Sequence, residues 1–325
     1  MKYFIGIFLL SLCWSCSKDN NDNPQDYFSN GEWKETLYWV PTNISKTDFP
    51  VSFNIDKDYY IGVWQYTDSP EMNGVVCRFK EDYGWSIVEK FPGRPRKGAV
   101  AFVIGGKAYV GLGVVVEKKS VDEYCTDFWQ YDPVTNSWDS LLFEFPGKGR
   151  EGAVAFVLEN KGYVGTGVTK DEEIGGFHNL GDFYEFDPKV GWSKLENASV
   201  NSRSFATTFT LNDEAYLCFG EKHRDVLKFS VMDKKWKAMN PLKPDKFPDI
   251  TRSNASSLVV EENGKQYAYV IGGNATVWTC RYDPYQDQWS EVEEGRIPKA
   301  HFFFSTGNQY YYINGINTWE FIPQK

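Results

Sequence analysis

Arg96-Lys97-Gly98-Ala99-Val100-Ala101-Phe102-Val103-Ile104-Gly105-Gly106-Lys107-Ala108-Tyr109-Val110-Gly111-Leu112-Gly113 decides the fold, because it comes back as Arg150-Glu151-Gly152-Ala153-Val154-Ala155-Phe156-Val157, with Tyr163-Val164-Gly165-Thr166-Gly167 behind it. In the first copy Ala99 to Ile104 is a short apolar run, suited to a strand buried on both faces. Gly105-Gly106 is a tight turn, and Ala108 to Gly113 is a second strand. A polar loop leads to Phe128–Asp132, which alternates aromatic and polar residues as a half-exposed strand does. Asp132-Pro133-Val134-Thr135-Asn136 is a turn, and Ser137 to Leu142 is the fourth strand, carrying Trp138. Weaker copies run from Arg203 to Trp236 and from Arg252 to Trp289. The tryptophans Trp85, Trp138, Trp192, Trp236 and Trp289 lie 53, 54, 44 and 53 residues apart. Four strands per repeat, a period near fifty and no helical stripe predict radially arranged blades.

The set Tyr109/Gly113, Tyr163/Gly167, Tyr216/Gly220, Tyr269/Gly273 and Tyr311/Gly315 resembles the kelch repeat, with the full double glycine kept at Gly272-Gly273. The third-strand aromatics Phe79, Tyr131, Phe186, Phe229 and Tyr282 precede their tryptophans by six or seven residues, in the same register. An earlier copy, about residues 46–90, is degenerate, with Trp64 where the glycine belongs. The resemblance covers roughly residues 30–325 and implies an all-β, six-bladed kelch-type β-propeller with four antiparallel strands per blade. The last copy, Lys299 to Lys325, lacks a fourth strand, which Gly31 to Leu37, with Trp33, can supply to close the ring.

A chain of 325 residues can bury a large core, and the stacked blades form one body from 30 to 325. The net charge of −9 and the lack of a basic, aromatic-interleaved stretch argue against nucleic acid. Residues 1–15 form a signal peptide, with Lys2 ahead of an apolar run too short to span a bilayer. Ser15-Cys16 resembles the end of a bacterial lipoprotein signal, which implies lipidation at Cys16; Cys13 is a poorer acceptor. Residues 16–29 form an acidic, flexible tether that resembles the export signals of Bacteroidetes surface lipoproteins, implying an outer-membrane lipoprotein facing the surface or the periplasm. Cys77, Cys125, Cys218 and Cys280 form no Cys-x-x-Cys pair, so zinc and dithiol chemistry are not expected and small buried thiols are.

In a propeller the first strand of each blade lines the central channel. Arg96, Arg150, Arg203, Arg252 and Lys299 come just before that strand in one register, with Lys46 a sixth candidate in the degenerate blade. One alternative is a cationic rim that binds a carboxylate or phosphate. The other is that each Arg bonds carbonyls or acids of a neighbouring blade, Glu151 among them. The loop after the second strand is long at Val114 to Thr126 and Val168 to Gly181, moderate at Gln65 to Gly74 and short elsewhere, predicting a sided face. Tyr66, Tyr124, Phe177 and His178 are the loop side chains placed to stack on a sugar or to pack the loops.

No metal or cofactor is expected: His178, His223 and His301 fall in different blades, and no nucleophile elbow, phosphate loop or His-Glu-x-x-His occurs. Two functions follow. One is a lipid-anchored binding module for a glycan or a protein partner. The other, from a resemblance to bacterial N-acetylneuraminate epimerases, is a sialic-acid mutarotase, whose substrate carboxylate would suit an Arg rim and whose chemistry needs only acid–base help.

Overall fold

The computed structural model describes residues 27–41, 50–62, 72–116, 122–170, 175–196, 198–242, 252–273, 279–292 and 302–323. A short 3-10 turn, Tyr27–Ser29, leads into β1 (Gly31–Trp39). Blade 1 is β2 (Val51–Ile55), β3 (Asp58–Gly62), β4 (Val76–Lys80) and β5 (Gly84–Ile87). Blade 2 is β6 (Val100–Ile104), β7 (Lys107–Gly111), the small hairpin β8 (Val114–Val115) and β9 (Glu123–Tyr124), then β10 (Phe128–Asp132) and β11 (Ser137–Ser140). Blade 3 repeats this with β12 (Val154–Leu158), β13 (Lys161–Gly165), the hairpin β14 (Val168–Lys170) and β15 (Phe177–Asn179), β16 (Phe183–Asp187) and β17 (Gly191–Lys194). Blade 4 is β18 (Thr207–Leu211), β19 (Glu214–Cys218), β20 (Val226–Ser230) and β21 (Lys235–Met239). Blade 5 is β22 (Ser256–Glu262), β23 (Lys265–Ile271), β24 (Thr279–Asp283) and β25 (Gln288–Val292).

Blade 6 holds β26 (Phe302–Thr306), β27 (Gln309–Asn314) and β28 (Asn317–Pro323), and its fourth strand is β1. Gly31 pairs with Pro323 and Trp33 with Phe321, antiparallel, so the N-terminal strand closes the ring as the sequence predicts. All six four-stranded sheets are antiparallel meanders. The turn acids behave as the Asp-Pro pattern suggests: Asp132, Asp187 and Asp283 each accept the N–H two residues on.

The repeated aromatics explain how blades stack. Within a blade the first-strand Phe lies parallel on the second-strand Tyr, as in Phe102–Tyr109 and Phe156–Tyr163, with centroids 5.3 and 5.1 Å apart. Each Tyr then meets the third-strand aromatic of the next blade: Tyr60 meets Tyr131, Tyr109 meets Phe186, Tyr163 meets Phe229, Tyr216 meets Tyr282 and Tyr311 meets Phe79. At the remaining junction Phe28 fills the gap, edge-on to both Tyr269 and Phe321. Six apolar clusters result, each drawing its residues from two consecutive blades. The core therefore lies between blades, and a blade removed from the ring would expose both its faces. Cys77, Cys125, Cys218 and Cys280 are buried free thiols in this core. Among the described residues no helix is long and apolar enough to cross a membrane.

Candidate site at the channel mouth

The connection entering each first strand carries the functional register. Gly98, Gly152, Phe205 and Asn254, each two residues after the repeated Arg, have φ of 63°, 62°, 52° and 58°. This left-handed turn aims their peptide groups around the channel. The Gly152 N–H donates to the Gly98 carbonyl, Phe205 N–H to Gly152, and Asn254 N–H to Phe205, at 3.1, 2.8 and 2.9 Å. A backbone arc thus links blades 2 to 5 at one mouth. Gly98 has a steric reason as well, since a Cβ there would lie 2.9 Å from the Glu151 Cβ.

Inside this arc is a cavity of about 340 Å³. Ser52, Asn254, Ser256 and Ser257 give its wall polar groups, Phe205 and Phe302 give it rings, and the alanines after each arc residue keep it wide. Sequence reading missed these residues, although their constant offset from the Arg was a usable signal. The two hairpins rise on the same face, because loops between second and third strands lie at the end where first strands begin. They stand on the adjacent blades 2 and 3, and Lys97 and Glu151 bridge to Val114 and Val168 at their bases.

The structure places the repeated arginines elsewhere than an open rim. Arg96, Arg150, Arg203 and Arg252 are at most 1% exposed. Arg96 gives both Nη groups to the Asp127 carboxylate, at 2.5 and 3.0 Å. Arg150 does the same to Asp182, at 2.5 and 3.1 Å, and Arg203 to Asp225, at 2.7 and 2.7 Å. Each also caps the carbonyl closing its second strand, that of Leu112, Thr166 or Phe219. Both sequence alternatives are corrected in part. Three of the cations already hold a carboxylate, and it comes from their own blade, with Asp182 and not Glu151 pairing Arg150. Burial by itself would raise the pKa of Asp127, Asp182 and Asp225, but the guanidinium beside each outweighs it and holds them below the ordinary carboxylate range. Arg252 differs. Its Nη1 donates to the Val270 carbonyl and its Nη2 to Cys280 Sγ at 3.3 Å, and among the described residues no carboxylate pairs with it. Lys299, Lys46, Tyr66 and Cys16 lie outside the described residues.

Of the loop candidates, Tyr124 sits half-buried on β9, Phe177 points out from β15 with 68% exposure, and a ring nitrogen of His178 lies 3.1 Å from the Gly175 carbonyl. None of the three lines the cavity. The titratable group that stands out is Glu151. Among the described residues its buried Oε2 has no hydrogen-bond partner, and burial raises its pKa, with Lys97 lowering it and Asp122 adding to the rise. Tyr124 beside it is pushed up to about 12, by burial first and then by Glu151 and Asp122. Among the described residues no group of three or more His, Cys, Asp or Glu could hold a metal ion.

No family model matches the chain. N-acetylneuraminate epimerase of Escherichia coli O9:H4 (strain HS) is 35% identical over 102 residues, 31% of this chain and 27% of that protein. The protein of the same name from Shigella flexneri serotype 5b (strain 8401) is 34% identical over 102 residues. The chain therefore matches about a quarter of those relatives' length. Among solved structures, that of YjhT superposes with a TM-score of 0.66 at 18% identity, covering 87% of this chain and 95% of that one. The fold shared with it is the six-bladed β-propeller, and this chain builds it from repeats of kelch-type spacing.

Proposed function

We propose that the hairpin-bearing mouth of the channel binds a sugar-sized ligand, and that the protein is a carbohydrate-binding module held at the outer membrane through Cys16. The observation that carries this is the mouth cavity of about 340 Å³, near the lower end of small-molecule sites. Hydroxyl and amide groups of Ser52, Asn254 and Ser256 suit sugar hydroxyls, while Phe205 and Phe302 offer ring faces to its C–H bonds. The hairpins of blades 2 and 3 make the face sided, which favours a directional ligand such as a glycan end over a symmetric one. A protein partner would engage the same face through Phe177, exposed on β15. The test is calorimetric titration of neutral and acidic monosaccharides and short glycans. Binding that disappears in Ala153→Trp, which fills the mouth, supports the reading; binding unchanged by that substitution overturns it.

A second reading, sugar mutarotation, has its own observation. Glu151 is a carboxyl of raised pKa immediately behind the mouth wall, and Tyr124 stands by it. Anomer exchange needs a group that can take and return one proton. The partial match to proteins named N-acetylneuraminate epimerase supports this reading. NMR of anomer exchange, with Glu151→Gln as control, tests it: exchange no faster than in buffer removes it.

A further inference from the structure

The left-handed turn that enters the first strand is not filled by the same residue in every blade. Blades 2 and 3 use Gly98 and Gly152, at φ of 63° and 62°, and blade 5 uses Asn254 at 58°, residue types that this conformation admits. Blade 4 puts Phe205 there, at φ of 52°. A bulky aromatic residue in the left-handed region is a strained choice. The backbone bonds do not call for it. The Phe205 N–H donates to the Gly152 carbonyl and the Phe205 carbonyl accepts from Asn254, which glycine would allow with less strain. The reason for Phe205 therefore lies in its ring. That ring lies over Gly152, where an added Cβ would meet Cδ1 and Cε1 at 2.7 Å and Cγ at 2.9 Å. The glycine of blade 3 makes the room that the ring of blade 4 occupies. Phe205 is half-buried and lines the mouth cavity together with Gly152. Phe302 lines it from blade 6, which stands opposite blade 3 in the ring of six. Polar groups come from the two neighbours of blade 6: Ser52 on blade 1, and Asn254, Ser256 and Ser257 on blade 5.

We propose that Phe205 is the stacking platform and specificity-determining residue of the mouth, and that the ligand is a pyranose with an oxygen-free face, of the all-equatorial β-glucoside type. This rests on the reading of the mouth as a small-ligand site. The face of a phenyl ring is its negative side, and C–H bonds carry the positive end of their dipole, so the ring attracts a patch of axial C–H groups. A β-glucoside offers such a patch on both faces. Its hydroxyls lie round the edge, as groups that Ser52, Asn254 and Ser256 can bond. An α-mannoside carries an axial oxygen on each face, and that oxygen would hold the sugar off the ring.

Methyl β-D-glucopyranoside and methyl α-D-mannopyranoside, both locked against ring opening, are the probes, titrated into the whole protein by calorimetry. The glucoside should bind about tenfold more tightly, the size of a good aromatic contact. Phe205→Leu keeps an apolar side chain over Gly152 without a flat face. It should lower the glucoside affinity to that of the mannoside and leave the mannoside unchanged, while Phe205→Tyr should keep the preference. Phe205→Gly suits the backbone and should behave as Phe205→Leu, so a folding defect in one variant leaves the other to decide. Weakening of both glycosides alike would make Phe205 a packing residue and overturn the proposal. If the mannoside binds as tightly as the glucoside or more so, or if the preference survives in Phe205→Leu and Phe205→Gly, Phe205 is no platform, and loss of binding in Ala153→Trp would still uphold the mouth. If the preference is lost with Phe205 yet persists in Ala153→Trp, the platform stands and the mouth reading falls. If neither glycoside binds, both fall.

Discussion

Asp182 shows how much depends on a single partner. Replacing it with Ala leaves the Arg150 guanidinium, 0% exposed, without its counter-charge. Breaking such a pair should cost about 3–5 kcal/mol, read as a lower denaturation midpoint at unchanged slope. The pairs also set an acid limit. The folded pKa of Asp127, Asp182 and Asp225 is depressed, so the stability they contribute is present above an unfolded value of about 4 and is lost as pH falls through the folded one. Melting temperature against pH should therefore drop below about pH 4, and less steeply in Asp182→Asn. Glu151 runs the other way. Its raised folded pKa favours the protonated form, so its contribution is greatest at low pH and is lost as pH rises past the unfolded value. Glu151→Gln should melt higher than the parent at pH 7 and equal it near pH 4. The register of arginines was legible in the sequence, but their partners were not. The Asp residues lie 31, 32 and 22 residues downstream, across loops of unequal length, so no fixed spacing announces them.

At the scale of the strand, β1 and the turn before it decide whether the ring closes. Trp33 packs on Phe303, Tyr312 and Phe321, and Phe28 fills the junction between Tyr269 and Phe321. Phe28→Ala should cost about 3–5 kcal/mol, as large-to-small changes in a core do, and should broaden the thermal transition by opening the ring at that junction. The composite blade was legible because the last copy lacks a tryptophan strand that the N-terminus can supply. Phe28 was not, since it lies in no repeat. The weakened glycine signal has a structural counterpart. Leu112, Thr166 and Phe219 stand at the first position of the double glycine and keep its backbone, with φ of 59°, 58° and 62° against 64° at Gly272. The conformation outlasts the residue because each carbonyl there caps a buried Arg. Thr166 is β-branched, and among the described residues its buried hydroxyl has no hydrogen-bond partner. Relief of a left-handed residue is worth roughly 1 kcal/mol, so Thr166→Gly should not lower the midpoint of chemical denaturation, whereas glycine at an ordinary strand position would.

For the molecule as a whole, the aromatic interfaces make a rigid ring, and the features that distinguish one blade from another collect at one mouth. Ring, blade number and sided loops followed from the repeat. The mouth did not, because its wall mixes glycine and alanine with serine, asparagine and phenylalanine residues drawn from different blades, which form no motif along the chain. It emerges only when the left-handed turns of blades 2 to 5 are linked by N–H to carbonyl bonds around the axis. The most direct test of the central claim, that this mouth is a small-ligand site, is a co-crystal structure of the protein soaked with whichever sugar gives the largest calorimetric signal. The account predicts ring density bounded by Asn254, Ser256 and Phe302, inside the arc of Gly98, Gly152 and Phe205. Density on the outer hairpin surface by Phe177, with nothing at the mouth, would contradict it.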